Sequence, residues 1–150
     1  MEHFHYESFL EQLRNEFELD VAALAVCLPE ENHAIRWKYI SGNISENYRR
    51  IVLYSGKGTA GLVVKTGKAR IIENVKEYYS AGNLYEHPIL VSEKIESFAA
   101  IPFFKNQRVC AVLLVGSRTA GKMNQVLFQE IFSHLPEKVG SYDTGELIGN

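Results

Sequence analysis

Apolar residues recur at helical spacing near the start of the chain. Phe9, Leu10, Leu13 and Phe17 share one side, with Glu7, Glu11, Arg14 and Glu18 between them. This pattern predicts an amphipathic first helix that ends near Leu19. The rhythm then changes. Val21–Leu28 is an unbroken apolar run stopped by Pro29, which reads as a central strand. Glu30, Glu31 and Asn32 form a turn. Ile35, Trp37 and Tyr39 then alternate with Arg36 and Lys38, predicting a second strand with one wet face. Ser41, Gly42 and Asn43 end it, and residues 48–54 read as a third extended stretch.

The second half is punctuated more closely. A short helix is expected over 59–65, stopped by Thr66, Gly67 and Lys68, because Gly67 can adopt the left-handed conformation that closes a helix. Residues 69–73 are strand-like. Residues 74–86 are irregular and rich in Tyr, Asn and Gly, and loops of that length are often functional. A second short helix is expected over 87–93, opened by Pro88, since proline suits the first helical position. Residues 97–103 and Arg108–Ser117 flank Phe104, Lys105, Asn106 and Gln107 as a hairpin. A closing helix is expected over 124–139, with Val126, Leu127, Ile131 and Leu135 on its apolar side, and residues 140–150 read as a loosely held polar tail. Hairpins dominate, so the class is α+β with a mostly antiparallel sheet.

Gly56, Gly58 and Gly61 spell the G-x-G-x-x-G of a dinucleotide-binding turn, after the strand-like Ile51 to Tyr54. Glu73 lies 17 residues beyond Gly56, near the position of a ribose-binding acid. The helix that follows is only about two turns long, which is short for a dinucleotide crossover. A short helix can still aim its free N–H groups, and the positive end of its dipole, at a small anion. Gly56 and Gly58 let the backbone come close, and Gly61 lets the helix pack tightly on what lies beneath it.

Composition narrows the field. At 150 residues the chain reads as one domain, 1–150, with enough apolar residues (46%) for a real core. Net charge is −2, which gives no reason to expect nucleic acid or an anionic membrane as partner. No apolar run reaches the length of a membrane span. The first residues do not resemble a signal peptide, so a cytoplasmic location is expected. Cys27 and Cys110 sit in strand-like runs and read as buried thiols of a reducing compartment. His3 and His5 resemble a metal pair at a frayed end, and His33, His87 and His134 have no ligand-type spacing, so no metal is expected. No catalytic triad and no carboxylate pair with an evident role is visible.

Over essentially its whole length the chain resembles the GAF domains. The likeness lies in Ser55 to Val63, in Ala69, Arg70, Ile71 and Ile72, and in the final hairpin, where Ala100-Ile101-Pro102 precedes the turn and Val112-Leu113-Leu114-Val115-Gly116 follows it. The resemblance implies a central antiparallel sheet, with terminal helices on one face and short helices over a small ligand pocket on the other. Within the GAF domains the chain is similar to the nitrate receptors of nitrate-responsive two-component systems. That similarity implies a non-enzymatic sensor, without cofactor, that binds nitrate at helix N-termini and regulates a sensor histidine kinase; it leaves a homodimer open. The ligand-binding positions implied are Trp37, Gly58, Thr59, Ala60, His87, Pro88 and Ile89. Thr59 stands where those receptors carry an aliphatic residue, and His87 where they carry an aromatic one. Nitrate is a planar monoanion with diffuse charge, so two helix termini, each contributing about 0.3–1 kcal/mol, suit it without a cationic side chain. Other readings stay open. By itself Trp37 reads as a core aromatic on a strand, and only the resemblance raises the pocket reading; Pro88 reads as a plain helix opener, and Tyr78, Tyr79 and Tyr85 either line a lid or dot a surface loop. The enzymatic alternative is a GAF-type free methionine sulfoxide reductase, and a third is a GAF domain binding another small ligand such as a cyclic nucleotide.

Overall fold

A computed structural model describes residues 5–135. A first helix, α1 (Tyr6–Phe17), leads into strand β1 (Val21–Leu28). A single 3-10 turn, Pro29–Glu31, then leads to β2 (Ala34–Ser41). A second 3-10 turn (Asn47–Arg50) precedes helix α2 (Gly58–Thr66) and strand β3 (Arg70–Ile72). Three short helices follow: α3 (Val75–Tyr78), α4 (Ala81–Leu84) and α5 (Pro88–Ser92). Strands β4 (Ser97–Lys105) and β5 (Arg108–Ser117) form a hairpin, and α6 (Gln125–Ser133) closes the described chain. All pairings are antiparallel, in the order β2-β1-β5-β4-β3. The α+β class with a central antiparallel sheet is therefore as expected.

Each strand divides its side chains between two cores. One core holds Phe9, Leu10 and Leu13 of α1 and Phe128 and Ile131 of α6 against Leu24, Ile101 and Leu113. The other holds Ala60 and Val63 of α2, Val75, and Ile89 and Leu90 of α5 against Ile35, Trp37, Phe98 and Leu114. Terminal helices thus cover one face and short helices the other.

Several local expectations shift. Tyr39 does not share a face with Ile35 and Trp37. Ala25 pairs with Trp37 but Leu24 with Tyr39, so Lys38 is an extra residue in a bulge. A bulge reverses the alternation. Trp37 therefore enters the α2-side core, while Tyr39 packs on the α1 side and stacks on Tyr6 at 4.8 Å. The stretch 48–54 is only partly extended: it starts in the 3-10 turn and pairs with β2 at a single bridge, Ile35 to Leu53. Strand β5 has the expected bounds, but β4 runs two residues further than expected, because Asn106 and Gln107 both take positive φ (53° and 67°) and make a two-residue turn. The segment 74–86 is helical in two single turns, capped by the Asn74 and Ser80 side chains, which accept from the N–H groups of Glu77 and Asn83. In α6, Asn124 caps the helix from outside, and Phe128 and Ile131 point inward. Val126 is 74% exposed, because two helical residues before Phe128 is roughly 200° around the axis. The expected end of this helix and the tail 140–150 lie outside the described residues.

Candidate functional site

The glycine turn folds back onto the helix it starts. Gly56 N–H donates to Gly61 O at 2.7 Å, and Lys57 N–H to Tyr54 O at 2.9 Å. Gly56 and Gly58 take φ of 89° and 72°, which an L side chain rarely adopts. A Cβ on Gly61 would lie 2.5 Å from Tyr54 O, so this glycine is required for the close approach of α2 to the preceding chain. Lys57 is the N-cap residue, yet no side chain caps the helix. The first-turn amides of an α-helix have no partner within it. In α2 they belong to Gly58, Thr59 and Ala60, all buried.

The start of α5 is built similarly. His87 is its N-cap residue, Pro88 stands at the first position, and no side chain caps it. Ile89 is buried and Pro88 half-buried. The two helix starts meet through their side chains. Thr59 Oγ1 and His87 Nδ1 are 3.0 Å apart, and both residues are buried. The Tyr79 ring lies on the His87 ring at 4.4 Å, tilted by 43°. Burial lowers the His87 pKa from its ordinary value, the positive charge of Arg70 lowers it further, and Glu86 opposes them. His87 is thereby held neutral near pH 7, able to exchange a hydrogen bond with Thr59.

Trp37 belongs to the apolar cluster that contains Ala60, Tyr79 and Ile89. Its indole N–H is buried and has no hydrogen-bond partner among the described residues. Buried polar groups are normally paired. The hydroxyl of Tyr79 and Nε of Arg70 are in the same condition. Of the residues singled out in the sequence, the structure thus joins Thr59 to His87 directly and places Trp37, Ala60 and Ile89 in one cluster. Gly58 serves the turn, where a Cβ would lie 2.8 Å from Leu53 Cδ2. Tyr78 and Tyr85 are exposed, at 60% and 76%, whereas Tyr79 is buried. Sequence reasoning assigned no role to Arg70 and foresaw no bond between Thr59 and His87. Nothing at a separation of 28 residues signals such a bond.

Other chemistry is thinly represented. Among the described residues, no group of three His, Cys, Asp or Glu side chains is placed to hold a metal ion. Burial raises the pKa of the Cys27 thiol and pushes that of Cys110 up to about 11. Both are free thiols. No helix among the described residues is long and apolar enough to cross a membrane.

Comparison with known proteins adds a relative. A mutated form of NreA from Staphylococcus aureus, altered in its nitrate binding site, is 34% identical to this chain. The match covers 77% of this chain and 84% of that one, with a TM-score of 0.72. The GAF domain of an Acinetobacter phosphoenolpyruvate-protein phosphotransferase has the same fold, at 15% identity, with 95% of this chain and 82% of that chain covered and a TM-score of 0.69. Free methionine-R-sulfoxide reductase from Neisseria meningitidis, solved with its substrate, shares the fold at 15% identity, with 93% and 77% covered and a TM-score of 0.67. No protein-family model and no curated protein matches the chain.

Proposed function

The chain belongs to the GAF domain family, close to NreA, and from that premise we propose that it is a sensor protein that binds nitrate and does not consume it. The observation that carries this reading is the buried, uncapped first turn of α2, closed against the start of α5 by the Thr59–His87 contact. Unpaired amides of Gly58, Thr59 and Ala60 suit a small anion. A helix start favours negative charge, and hydrogen bonds from N–H groups to an ionised acceptor are stronger than neutral ones. The Trp37 ring offers a flat apolar wall and an unpaired N–H to a planar ion. His87, Pro88 and Ile89 supply the wall on the α5 side.

The reductase reading has less support. This sequence holds two cysteines. Burial raises the pKa of both, and a protonated thiol is a poor nucleophile. The similarity to the reductase is one of fold.

The partner in this reading is a sensor histidine kinase of a two-component system, whose autophosphorylation responds to the nitrate-bound fraction. An ion that binds one arrangement of the segment 74–92 better than another shifts the population of the partner-binding surface. The test is calorimetry with nitrate, chloride and sulfate, run beside the fluorescence of Trp37, the sole tryptophan. Nitrate should bind one to one and quench the emission. No heat with nitrate, together with strong binding of a cyclic nucleotide, overturns the reading.

A further inference from the structure

Glu93 is completely buried and stands where α5 ends. Its Oε1 accepts from Arg118 Nη2 at 2.9 Å and from the Ile44 N–H at 2.8 Å. Arg118 also donates from Nε to the Glu93 carbonyl at 2.8 Å and from Nη2 to the Gly42 carbonyl at 3.1 Å. Its backbone N–H donates to Asp20 Oδ2 at 2.7 Å. One arginine, just past the end of β5, thus joins the end of α5 to the loop after β2 and to the residue before β1.

Stability alone does not account for this pair. Taking two charges out of water can cost as much as their attraction returns, whereas fixing one arrangement over others is an attested use of buried polar and ionic groups. Helix α5 needs such fixing, because five residues are too few to hold a helix in place by themselves. Its start is tied to α2 by the Thr59–His87 contact at 3.0 Å. Within it, the Leu90 N–H donates to His87 O at 3.0 Å and the Glu93 N–H to Ile89 O at 3.1 Å. Its far end is tied by Glu93 to Arg118.

We propose that Glu93 and Arg118 are positioning residues: their pair holds α5 from its far end, so that its start stays seated against α2 in the arrangement that takes the anion. This rests on the reading that an anion binds at the start of α2. Apparent affinity scales with the fraction of molecules in the competent arrangement. By reciprocity, the bound anion stabilises the contacts of Glu93 in turn.

The test uses the full chain and its Glu93→Gln and Arg118→Lys variants, with nitrate as the probe. Glu93→Gln keeps the size of the side chain and one acceptor, and Arg118→Lys keeps the charge but loses the planar fork. Each should weaken nitrate by about fivefold or more in calorimetry. Ile131→Val, in the core on the other face, lowers stability without touching α5 and should leave the affinity within about twofold. The second readout is hydrogen exchange at the Ile44 amide of the wild type, which saturating nitrate should slow by about fivefold or more. A smaller loss of affinity in either variant, an equal loss in Ile131→Val, or a smaller slowing at Ile44 overturns the proposal while nitrate binding by the wild type stands. If a variant fails to fold, the exchange at Ile44 decides. If the wild type binds no nitrate, both readings fall.

Discussion

Replacing Thr59 by valine keeps the branched shape and removes only the hydroxyl. The structure says what that costs. Thr59 Oγ1 is 3.0 Å from His87 Nδ1, and the residues are 1% and 4% exposed, so water cannot freely replace the lost partner. A neutral hydrogen bond contributes a net of about 0.5–1.5 kcal/mol, but an orphaned buried partner costs about 1–3 kcal/mol. The variant should lose roughly 1–3 kcal/mol. For a domain of this size each kcal/mol lowers Tm by about 2–4 °C. His87→Phe keeps an aromatic ring against Tyr79 and orphans the Thr59 hydroxyl instead, at a similar cost. The double variant orphans neither. Its loss should therefore fall short of the sum of the two single losses, by about 1–3 kcal/mol of coupling. Urea unfolding of the four proteins measures this, provided the slope with denaturant is unchanged. Additivity within about 0.5 kcal/mol would refute the reasoning and make the contact incidental.

Two further outcomes follow from the same geometry. The folded state lowers the His87 pKa below 6.5, so the unfolded chain takes up the proton first as pH falls; the contribution of His87 to stability is complete above pH 6.5 and is lost as pH falls from 6.5 through the lowered folded value. Urea midpoints measured between pH 8 and 5 should decline over that interval in the wild type, and His87→Phe should remove this part of the decline. Ala60→Pro deletes a first-turn donor of α2 and should abolish nitrate binding, whereas Lys57→Ala should change affinity by less than about tenfold; the opposite order in folded variants, checked by circular dichroism, would assign the ion to a side-chain cation.

The sheet was legible because hydrophobic alternation and turn chemistry act locally. Val21–Leu28 emerged with its bounds intact, since a run buried on both faces needs no phase. Strand β2 needed a phase, and the bulge at Lys38 changed it midway. A bulge is chosen by the neighbouring strand, so the alternation of Ile35, Trp37 and Tyr39 carried no sign of it. The outward turn of Val126 has a related origin. Both Val126 and Phe128 are apolar, and only the docking of α6 on the sheet selects Phe128 for the core. The segment 74–86 looked irregular because each of its helices is a single turn, too short for any period to show. Asn74 and Ser80, each followed three residues later by the N–H it caps, were the available signals.

The site divides along the same line. Its backbone was legible: Gly56, Gly58 and Gly61 mark a turn that only glycines can make, and a helix start necessarily carries free amides. Its electrostatics were not, because they depend on which side chains meet. Taken singly, Thr59 and His87 look like departures that put polar groups where the resembling receptors are apolar or aromatic. In the fold the two departures satisfy each other. A lone threonine facing an aromatic ring, or a lone histidine facing an aliphatic chain, would leave a buried polar atom unpaired, so each change makes sense only beside the other. The amides of α2 do not depend on either side chain. The pair therefore leaves the proposed anion-binding backbone unchanged while setting a titratable imidazole beside it, near the charge of Arg70. An anion bound at that helix start favours the protonated imidazole, so the affinity of this site should rise as pH falls. A site lined at the same positions by aliphatic and aromatic side chains has no group there to take up that proton.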